Sequence, residues 1–73
     1  MDVKQIGRRI KGFRKLKGYT QEQFAIKIQT SPYLLGNIER GKKEPSEAML
    51  ETMCDVLQVS REELIVSDDM EKE

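Results

Sequence analysis

Side chains able to carry out catalysis are scarce in this sequence. Adjacent carboxylates occur at Glu62-Glu63 and Asp68-Asp69, but neighbouring residues on a helix point in different directions, so neither pair can act on one substrate. The chain has no histidine, which removes the commonest general base and leaves no nucleophile–base pair. It also has no glycine-rich loop that would cradle a phosphate. We therefore predict that the protein is not an enzyme.

Cys54 is the single cysteine, and the sequence offers no second cysteine or histidine with which it could act. One cysteine cannot form an intrachain disulfide, and without histidine it cannot complete a Cys/His zinc site, so we expect no metal and no cofactor. Leu50, Met53, Cys54 and Leu57 recur at i, i+3, i+4 and i+7, which is the apolar stripe of a helix. This spacing favours a small buried apolar residue over a redox sensor at Cys54.

Basic side chains, in contrast, concentrate in the first part of the chain. Residues 1–43 carry 11 Lys and Arg against 3 Asp and Glu, whereas residues 44–73 carry 2 against 10. The two parts therefore have net charges of +8 and −8 within a chain whose total charge is zero. Two ordinary solvated surfaces would give the same numbers. A basic binding face is favoured because a helical motif, residues 20–41, lies in the basic part.

The elements that must position these side chains are all helical. Apolar residues recur at helical spacing from Ile6 to Phe13, and basic residues such as Lys11 and Lys15 lie elsewhere on that helix. No strand is predicted, and no apolar run approaches the roughly 20 residues needed to span a membrane. The caps and apolar repeats predict five helices, over about Val3–Lys17, Gln21–Ile28, Pro32–Arg40, Glu47–Leu57 and residues 61–65.

The second and third of these helices form a pair joined by a short turn. Thr20 with Gln23 three residues later is a capping box that starts the second helix. Ser31-Pro32 starts the third helix with a serine cap followed by proline, and Gly41 ends it. Such a pair presents one helix outward while the other braces it. An outward helix fits the major groove of B-form DNA, where base edges offer distinct donors and acceptors.

Residues 20–46 read TQEQFAIKIQTSPYLLGNIERGKKEPS and lead into the Leu50/Met53/Leu57 stripe. This run resembles the Cro/lambda-repressor-type helix-turn-helix family, also called Xre-like, and the resemblance extends over about residues 6–65. It implies an all-α, five-helix lambda-repressor-like DNA-binding domain with the helix-turn-helix at helices 2 and 3. We expect that domain to span residues 1–66 and to be followed by an acidic, disordered tail over residues 67–73.

The resemblance also implies roles for individual residues. Gln21 falls where the family clamps a phosphate, and Asn37 falls where it reads base edges, a role suited to an amide that can pair with adenine N6 and N7. Arg14 and Glu39 match a structural ion pair that ties helix 1 to helix 3. The base-reading group also includes Pro32 and Tyr33, and the backbone contacts past the helix are Arg40, Lys42 and Lys43. The complete set of expected DNA contacts is Thr20, Gln21, Ser31, Pro32, Tyr33, Gly36, Asn37, Arg40, Lys42 and Lys43.

Three positions depart from the family's pattern. Gln29 stands where the family has a turn glycine, so the turn must close without that permissive residue. Leu34, which we expect to be partly covered, makes the outer face of the third helix less polar than is usual. Gly36 lies inside the helix, either for close approach of the backbone to DNA or as a tolerated surface glycine. Because the outer face of the third helix also lacks Arg, Lys and Gln, the target sequence stays open.

Together these features predict a sequence-specific transcriptional regulator. We expect a repressor that binds an inverted-repeat operator as a homodimer, with helix 3 in the major groove of double-stranded DNA. Six apolar residues, on the fourth helix and in the run 64–66, indicate the dimer surface, although those on the fourth helix would equally cover helix 1 or 5 within one subunit. They are Met49, Met53, Val56, Leu64, Ile65 and Val66.

The alternative is a protein-interaction module on the same fold, similar to an anti-repressor. The Tyr33-Leu34 surface and the acidic C-terminal half motivate it, and a regulatory protein partner would fit either function. We expect no membrane association. The absence of an N-terminal signal peptide and the lone cysteine favour a cytoplasmic protein. The resemblance to the Xre-like family implies a bacterial or phage origin.

Overall fold

Five helices account for most of residues 2–65, the part of the chain that the computed structural model describes. They are α1 (Val3–Leu16), α2 (Gln21–Lys27), α3 (Pro32–Glu39), α4 (Glu47–Leu57) and α5 (Arg61–Leu64). No strand occurs within these residues, and none of their helices is long and apolar enough to cross a membrane. The predicted all-α, five-helix fold is therefore confirmed. Val66 and the predicted acidic tail lie outside the described residues.

Every helix begins at a short polar side chain that accepts a hydrogen bond from a backbone N–H of the first turn. This satisfies donors that have no partner inside the helix. Thr20 and Ser60 form complete capping boxes with Gln23 and Glu63, in which the later side chain also accepts from the N–H of the cap residue. Asp2 caps α1 by accepting hydrogen bonds from the backbone N–H groups of Lys4 and Gln5, a role that was not predicted from the sequence. The residues at the helix N-caps are Asp2, Thr20, Ser31, Ser46 and Ser60.

The first four helices end at a residue with a positive φ angle. Gly18 (φ 86°) and Gly41 (φ 79°) end α1 and α3, while Gln29 (φ 61°) and Gln58 (φ 59°) end α2 and α4. The N–H after each of these residues bonds a carbonyl five positions earlier; after α1, for example, the Tyr19 N–H donates to Arg14. The turn between α2 and α3 lacks the glycine that is usual in the family. It closes because Gln29 itself takes the left-handed conformation, which is unfavourable for a residue with a Cβ.

The hydrophobic core draws on all five helices, and its composition corrects part of the predicted dimer surface. Met53 and Leu64 are both fully buried within the subunit, so their assignment to a surface between subunits is wrong. Met53 lies on the same α4 stripe as Leu50 and Leu57, which points at the core. The largest fully buried side chains are Phe24, Ile10, Leu35, Ile38, Leu50, Met53, Leu57 and Leu64.

Cys54 belongs to this core and is only 9% exposed. Burial raises the pKa of its thiol, and Asp55 and Glu51 nearby act in the same direction, while Arg61 opposes them. The thiolate is the reactive form of cysteine, so a raised pKa lowers the reactivity of the side chain at neutral pH. The structure therefore supports the buried apolar interpretation of Cys54 over a redox sensor.

Two close contacts hold α1 against its neighbours. Gly7 lies against the end of α3, where a Cβ would come within 2.7 Å of the Glu39 carbonyl oxygen. Arg9 holds the last turn of α5, because its Nε donates to the Leu64 carbonyl at 2.9 Å and its Nη2 donates to the Glu63 carbonyl. These carbonyls have no partner within so short a helix, so Arg9 acts as a C-terminal cap supplied from a distant part of the chain.

Candidate DNA-binding interface

The outward face of α3 carries the side chains expected to read base edges. Ser31, Pro32 and Tyr33 are exposed at its start, and Tyr33 is 78% exposed. Asn37 follows Tyr33 by four residues and is half-buried, so the two lie on the same side of the helix. Leu35 lies on the opposite side in the core. Burial of one face therefore leaves the other free to meet a ligand.

Asn37 and Arg40 are joined on this face by a hydrogen bond. Arg40 Nη2 donates to Asn37 Oδ1 at 2.7 Å, which draws the guanidinium back along the helix. Within residues 2–65, the Asn37 amide N–H groups donate no hydrogen bond, and the amide oxygen has a second lone pair. Asn37 can therefore still donate to adenine N7 and accept from adenine N6 while Arg40 holds the amide in orientation.

A buried network of three side chains joins the helix-turn-helix to α1. Arg14 Nε donates to Glu39 Oε2 at 2.6 Å and Arg14 Nη2 donates to Glu39 Oε1 at 3.2 Å, and each residue is only 6% exposed. Arg14 Nη1 also donates to the Tyr19 carbonyl at 2.9 Å. The two charges compensate each other in a bidentate arrangement, which is the form in which such a pair tolerates burial. The pair that the resemblance implied is thus present and links α1 to α3.

Gln21 is the third member of this network. Its Nε2 donates to Glu39 Oε1 at 3.1 Å, and the side chain is partly buried. An amide nitrogen carries two N–H groups, so one remains for a ligand such as a phosphate oxygen. The predicted phosphate contact is therefore held in position by Glu39 rather than left mobile in solvent.

The hydroxyls expected to contact DNA also serve as helix caps. Thr20 Oγ1 accepts from the Gln23 N–H at 3.1 Å, and Ser31 Oγ accepts from the Leu34 N–H at 3.0 Å. A hydroxyl that accepts one bond keeps its own O–H as a donor. Each of these side chains can therefore cap its helix and still donate to a phosphate.

Gly36 is buried, which excludes the surface-glycine interpretation. A Cβ at this position would lie 3.2 Å from Arg40 Nη1 and 3.5 Å from Gln21 Nε2. Because Gly36 has no side chain, the ends of the Arg40 and Gln21 side chains can lie against the backbone of α3 at this position. This internal reason was not among the two expected for Gly36, which were close approach of the backbone to DNA and a tolerated surface glycine.

Lys42 and Lys43 extend the basic surface beyond α3. Both are exposed, and the Lys42 N–H donates to the Asn37 carbonyl at 2.9 Å, which ties the start of the loop to the last turn of the helix. Pro45 is buried further along the same loop. The loop is thus anchored at both ends, and its lysines have a defined position next to the outward face of α3 that carries Tyr33 and Asn37. We call this face the reading face, after its proposed role.

A cavity of about 380 Å³ lies between α1, α2 and α3, and we call it the basic cavity. Gln21, Gly36 and Arg40 line it together with the Arg14–Glu39 pair. Lys11 and Lys15 also line it, although the sequence analysis assigned them no site. Their i, i+4 spacing places them on one side of α1, but only the packing of α1 on α3 brings that side to the interface.

Comparison with known proteins agrees with this geometry. A family profile described as a helix-turn-helix domain matches residues 5–64. The chain is 52% identical over 64 residues to YazB of Bacillus subtilis (strain 168), an uncharacterized HTH-type transcriptional regulator. That match covers 88% of this chain and 93% of YazB.

Solved structures of two proteins have the same fold. The restriction-modification controller protein C.AhdI from Aeromonas hydrophila superposes with a TM-score of 0.83 at 26% identity, over 88% of this chain and 97% of that one. SinR, the master regulator for biofilm formation, was solved in complex with DNA and superposes with a TM-score of 0.76 at 42% identity, over 81% and 95% of the chains. A second SinR structure, a complex with SinI, superposes with a TM-score of 0.78 at 36% identity, over 92% of this chain and 72% of that chain.

Proposed function

This chain belongs to the helix-turn-helix family of DNA-binding transcriptional regulators, and on that premise we propose that it is a sequence-specific repressor acting as a homodimer. In this proposal α3 enters the major groove and reads bases through Tyr33 and Asn37. Gln21, Arg40 and the loop lysines hold the phosphates on either side. A dimer bound across an operator would block access of the transcription machinery to overlapping promoter DNA.

The observation that carries this proposal is the support given to the reading face. Glu39, in the last turn of α3, accepts hydrogen bonds from Arg14 of α1 and from Gln21 of α2. A base-reading side chain discriminates only when its helix is held firmly relative to the phosphate contacts, because a loose helix meets wrong bases equally well. The network fixes α3 against the residue proposed to clamp a phosphate.

The proposed dimer surface is a second face of α4, beside its core stripe. Met49 and Val56 are half-buried there and lie seven residues apart, with Thr52 between them. Ile65, just beyond α5, is also half-buried and packs at the edge of the core. Side chains that are apolar and only partly covered within one subunit gain by contact with a second copy. Met49, Val56 and Ile65 therefore remain in the proposed surface, which omits Met53 and Leu64.

Selection of bound sequences from a random pool of DNA duplexes tests the proposal. We expect enrichment of an inverted repeat whose half-site centres are one helical turn apart, about 34–36 Å, because a two-fold symmetric dimer presents two copies of α3. A reporter gene placed behind the enriched sequence should then be repressed when the protein is expressed. Enrichment of a single asymmetric site would contradict the dimer, and no enrichment would contradict sequence-specific binding.

A protein-interaction module is the second candidate, and one surface favours it. A groove of about 330 Å³ runs between α3 and α4, and it is lined in part by Leu34, Ile38, Pro45 and Met49. SinR, which has this fold, was solved in complex with SinI as well as with DNA. Salt separates the two functions, because DNA binding through several phosphates weakens steeply with ionic strength. Binding of a partner through the apolar side chains of this groove would depend on salt much less, although Lys43 and Glu44 also line it.

A further inference from the structure

We propose that the basic cavity is a phosphate-binding site in which Lys11 and Lys15 of α1 hold a phosphate group together with Gln21 and Arg40. Its use on DNA rests on the function proposed above and extends the interface to α1, which no sequence motif included. The same chemistry would accept a free phosphate ion, so the experiments below separate the two sources.

Charge is the first argument for this site. Four cationic side chains line the cavity, namely Lys11, Arg14, Lys15 and Arg40, against the single carboxylate of Glu39. That carboxylate is already neutralised by Arg14, with which it forms a bidentate pair. Within residues 2–65, neither lysine forms an ion pair with a carboxylate. The cavity therefore keeps an excess of positive charge that a phosphate would balance.

Preorganisation is the second argument. Gln21 is held at the cavity by its bond to Glu39, and Arg40 by its bond to Asn37. Each keeps further N–H donors for an anion, since an amide nitrogen has two and a guanidinium five. Gly36 also lines the cavity, and a Cβ there would lie 3.2 Å from Arg40 Nη1 and 3.5 Å from Gln21 Nε2, so its absence keeps these two donors uncrowded. A fixed set of donors around an open volume is what phosphate recognition requires.

Position on the molecule favours DNA as the source of the phosphate. Gln21 and Arg40 belong to the helix-turn-helix, and Asn37 on the reading face bonds to Arg40 directly. A phosphate in the cavity would thus lie beside the groove that α3 enters, as the backbone of the same duplex does. Lys11 and Lys15 would then bind it from α1, outside the helix-turn-helix.

The test compares two double variants. Lys11→Gln/Lys15→Gln removes the two cavity lysines, while Lys17→Gln/Lys27→Gln removes two exposed lysines that do not line the cavity. Each double variant keeps the chain length and loses two positive charges, so the general electrostatic attraction to DNA falls equally in both. The slope of log K against log salt is measured for each variant on the selected operator and on a mixed-sequence duplex. Thermal unfolding of both variants establishes that they are folded.

We expect the slope to become shallower by about 0.9 for Lys11→Gln/Lys15→Gln, the value for one phosphate, and by the same amount on both duplexes. The control pair should keep the wild-type slope. In parallel, inorganic phosphate is titrated into the wild-type protein while amide resonances of Gln21 and Gly36 are followed. A saturable shift that is absent from Lys11→Gln/Lys15→Gln, with an unchanged slope on DNA, would assign the cavity to a free phosphate instead.

The proposal is overturned if the cavity variant matches the control in salt slope and inorganic phosphate shifts neither resonance. Failure of the proposed function looks different. In that case the wild-type protein would select no sequence from the random pool, while its slope on mixed-sequence DNA, or its response to inorganic phosphate, would still depend on Lys11 and Lys15.

Discussion

Asn37 is the residue on which base discrimination is expected to depend most. Its amide lies on the outward face of α3 and is oriented by Arg40 at 2.7 Å. We expect Asn37→Ala to relax specificity at one base position of the operator, at a cost of about 1–3 kcal/mol in binding free energy. The measurement is the affinity for the operator and for each single-base variant, by titration at fixed salt.

Lys43→Ala is the matched control for this prediction. Lys43 is exposed on the loop after α3 and is expected to contact phosphate, so its loss should weaken binding to all sequences alike. If Asn37→Ala discriminated among base variants as well as the wild type does, direct reading by Asn37 would be excluded. A uniform loss across all sites would instead place Asn37 among the phosphate contacts.

Gly7 tests the packing of α1 on α3, also at the scale of a single residue. A methyl group there would lie 2.7 Å from the Glu39 carbonyl oxygen, and backbone atoms cannot turn aside as a flexible side chain can. We expect Gly7→Ala to lower the free energy of unfolding by about 1–3 kcal/mol, because α1 must move away from α3. Urea-induced unfolding followed by circular dichroism measures the change.

Gly12→Ala is the control on the same helix. Gly12 is exposed, and a Cβ there meets nothing within 4 Å. We expect this change to raise the free energy of unfolding by about 0.5–1 kcal/mol, since alanine restricts the unfolded chain and favours the helix. The changes in the free energy of unfolding should therefore have opposite signs for Gly7→Ala and Gly12→Ala. A Gly7→Ala protein more stable than the wild type would show that α1 and α3 are not in close contact.

At the scale of elements, the ends of the helices set the angle between α2 and α3. Gln29 closes the turn between them with φ at 61°, a conformation that glycine adopts without strain. We expect Gln29→Gly to raise the free energy of unfolding by up to about 1 kcal/mol. The backbone strain that glycine relieves in the folded state is larger in free energy than the entropy that glycine adds to the unfolded chain. Thermal and urea unfolding of the variant measure the gain.

Gln29→Ala separates backbone strain from side-chain effects. Alanine removes the amide but keeps the Cβ, so it keeps the strain and should give no gain. A glycine variant no more stable than the alanine variant would mean that the turn stores no strain. The bond from the Thr30 N–H to the Ala25 carbonyl at 2.9 Å should persist in both, since it depends on the backbone alone.

Across the whole molecule, the proposed dimer surface on α4 is expected to determine whether one copy or two occupy an operator. We expect Val56→Lys to dissociate the proposed dimer, because a charge would be placed in an apolar contact. Binding to the full inverted repeat should then fall to the level of an isolated half-site. Sedimentation equilibrium and the stoichiometry on operator DNA measure the two effects.

Ala48→Lys makes the same chemical change on the exposed side of α4 and should leave both measurements unchanged. A wild-type protein that stays monomeric in solution and binds DNA as one copy would contradict the dimer. Equal effects of the two variants would place the interface elsewhere on the molecule.

The sequence by itself determined the helices, because the signals that set them are local. A cap such as Thr20 acts on the next three residues, and an apolar stripe such as Leu50/Met53/Leu57 acts within one helix. The fold family and the reading helix followed from the joint spacing of these signals. The turn at Gln29 was also located correctly, although its left-handed backbone could be seen only in the structure.

Tertiary structure alone decided which groups meet across helices. Leu64 is buried rather than free for a partner, and Arg9 caps a helix more than fifty residues away. Lys11 and Lys15 join the candidate interface only because Gly7 allows α1 to pack closely on α3. Contacts of this kind depend on the relative position of helices, which short-range spacing does not encode. The sequence therefore specified the helix that is proposed to read bases, and the packing of α1 specified the basic cavity beside it.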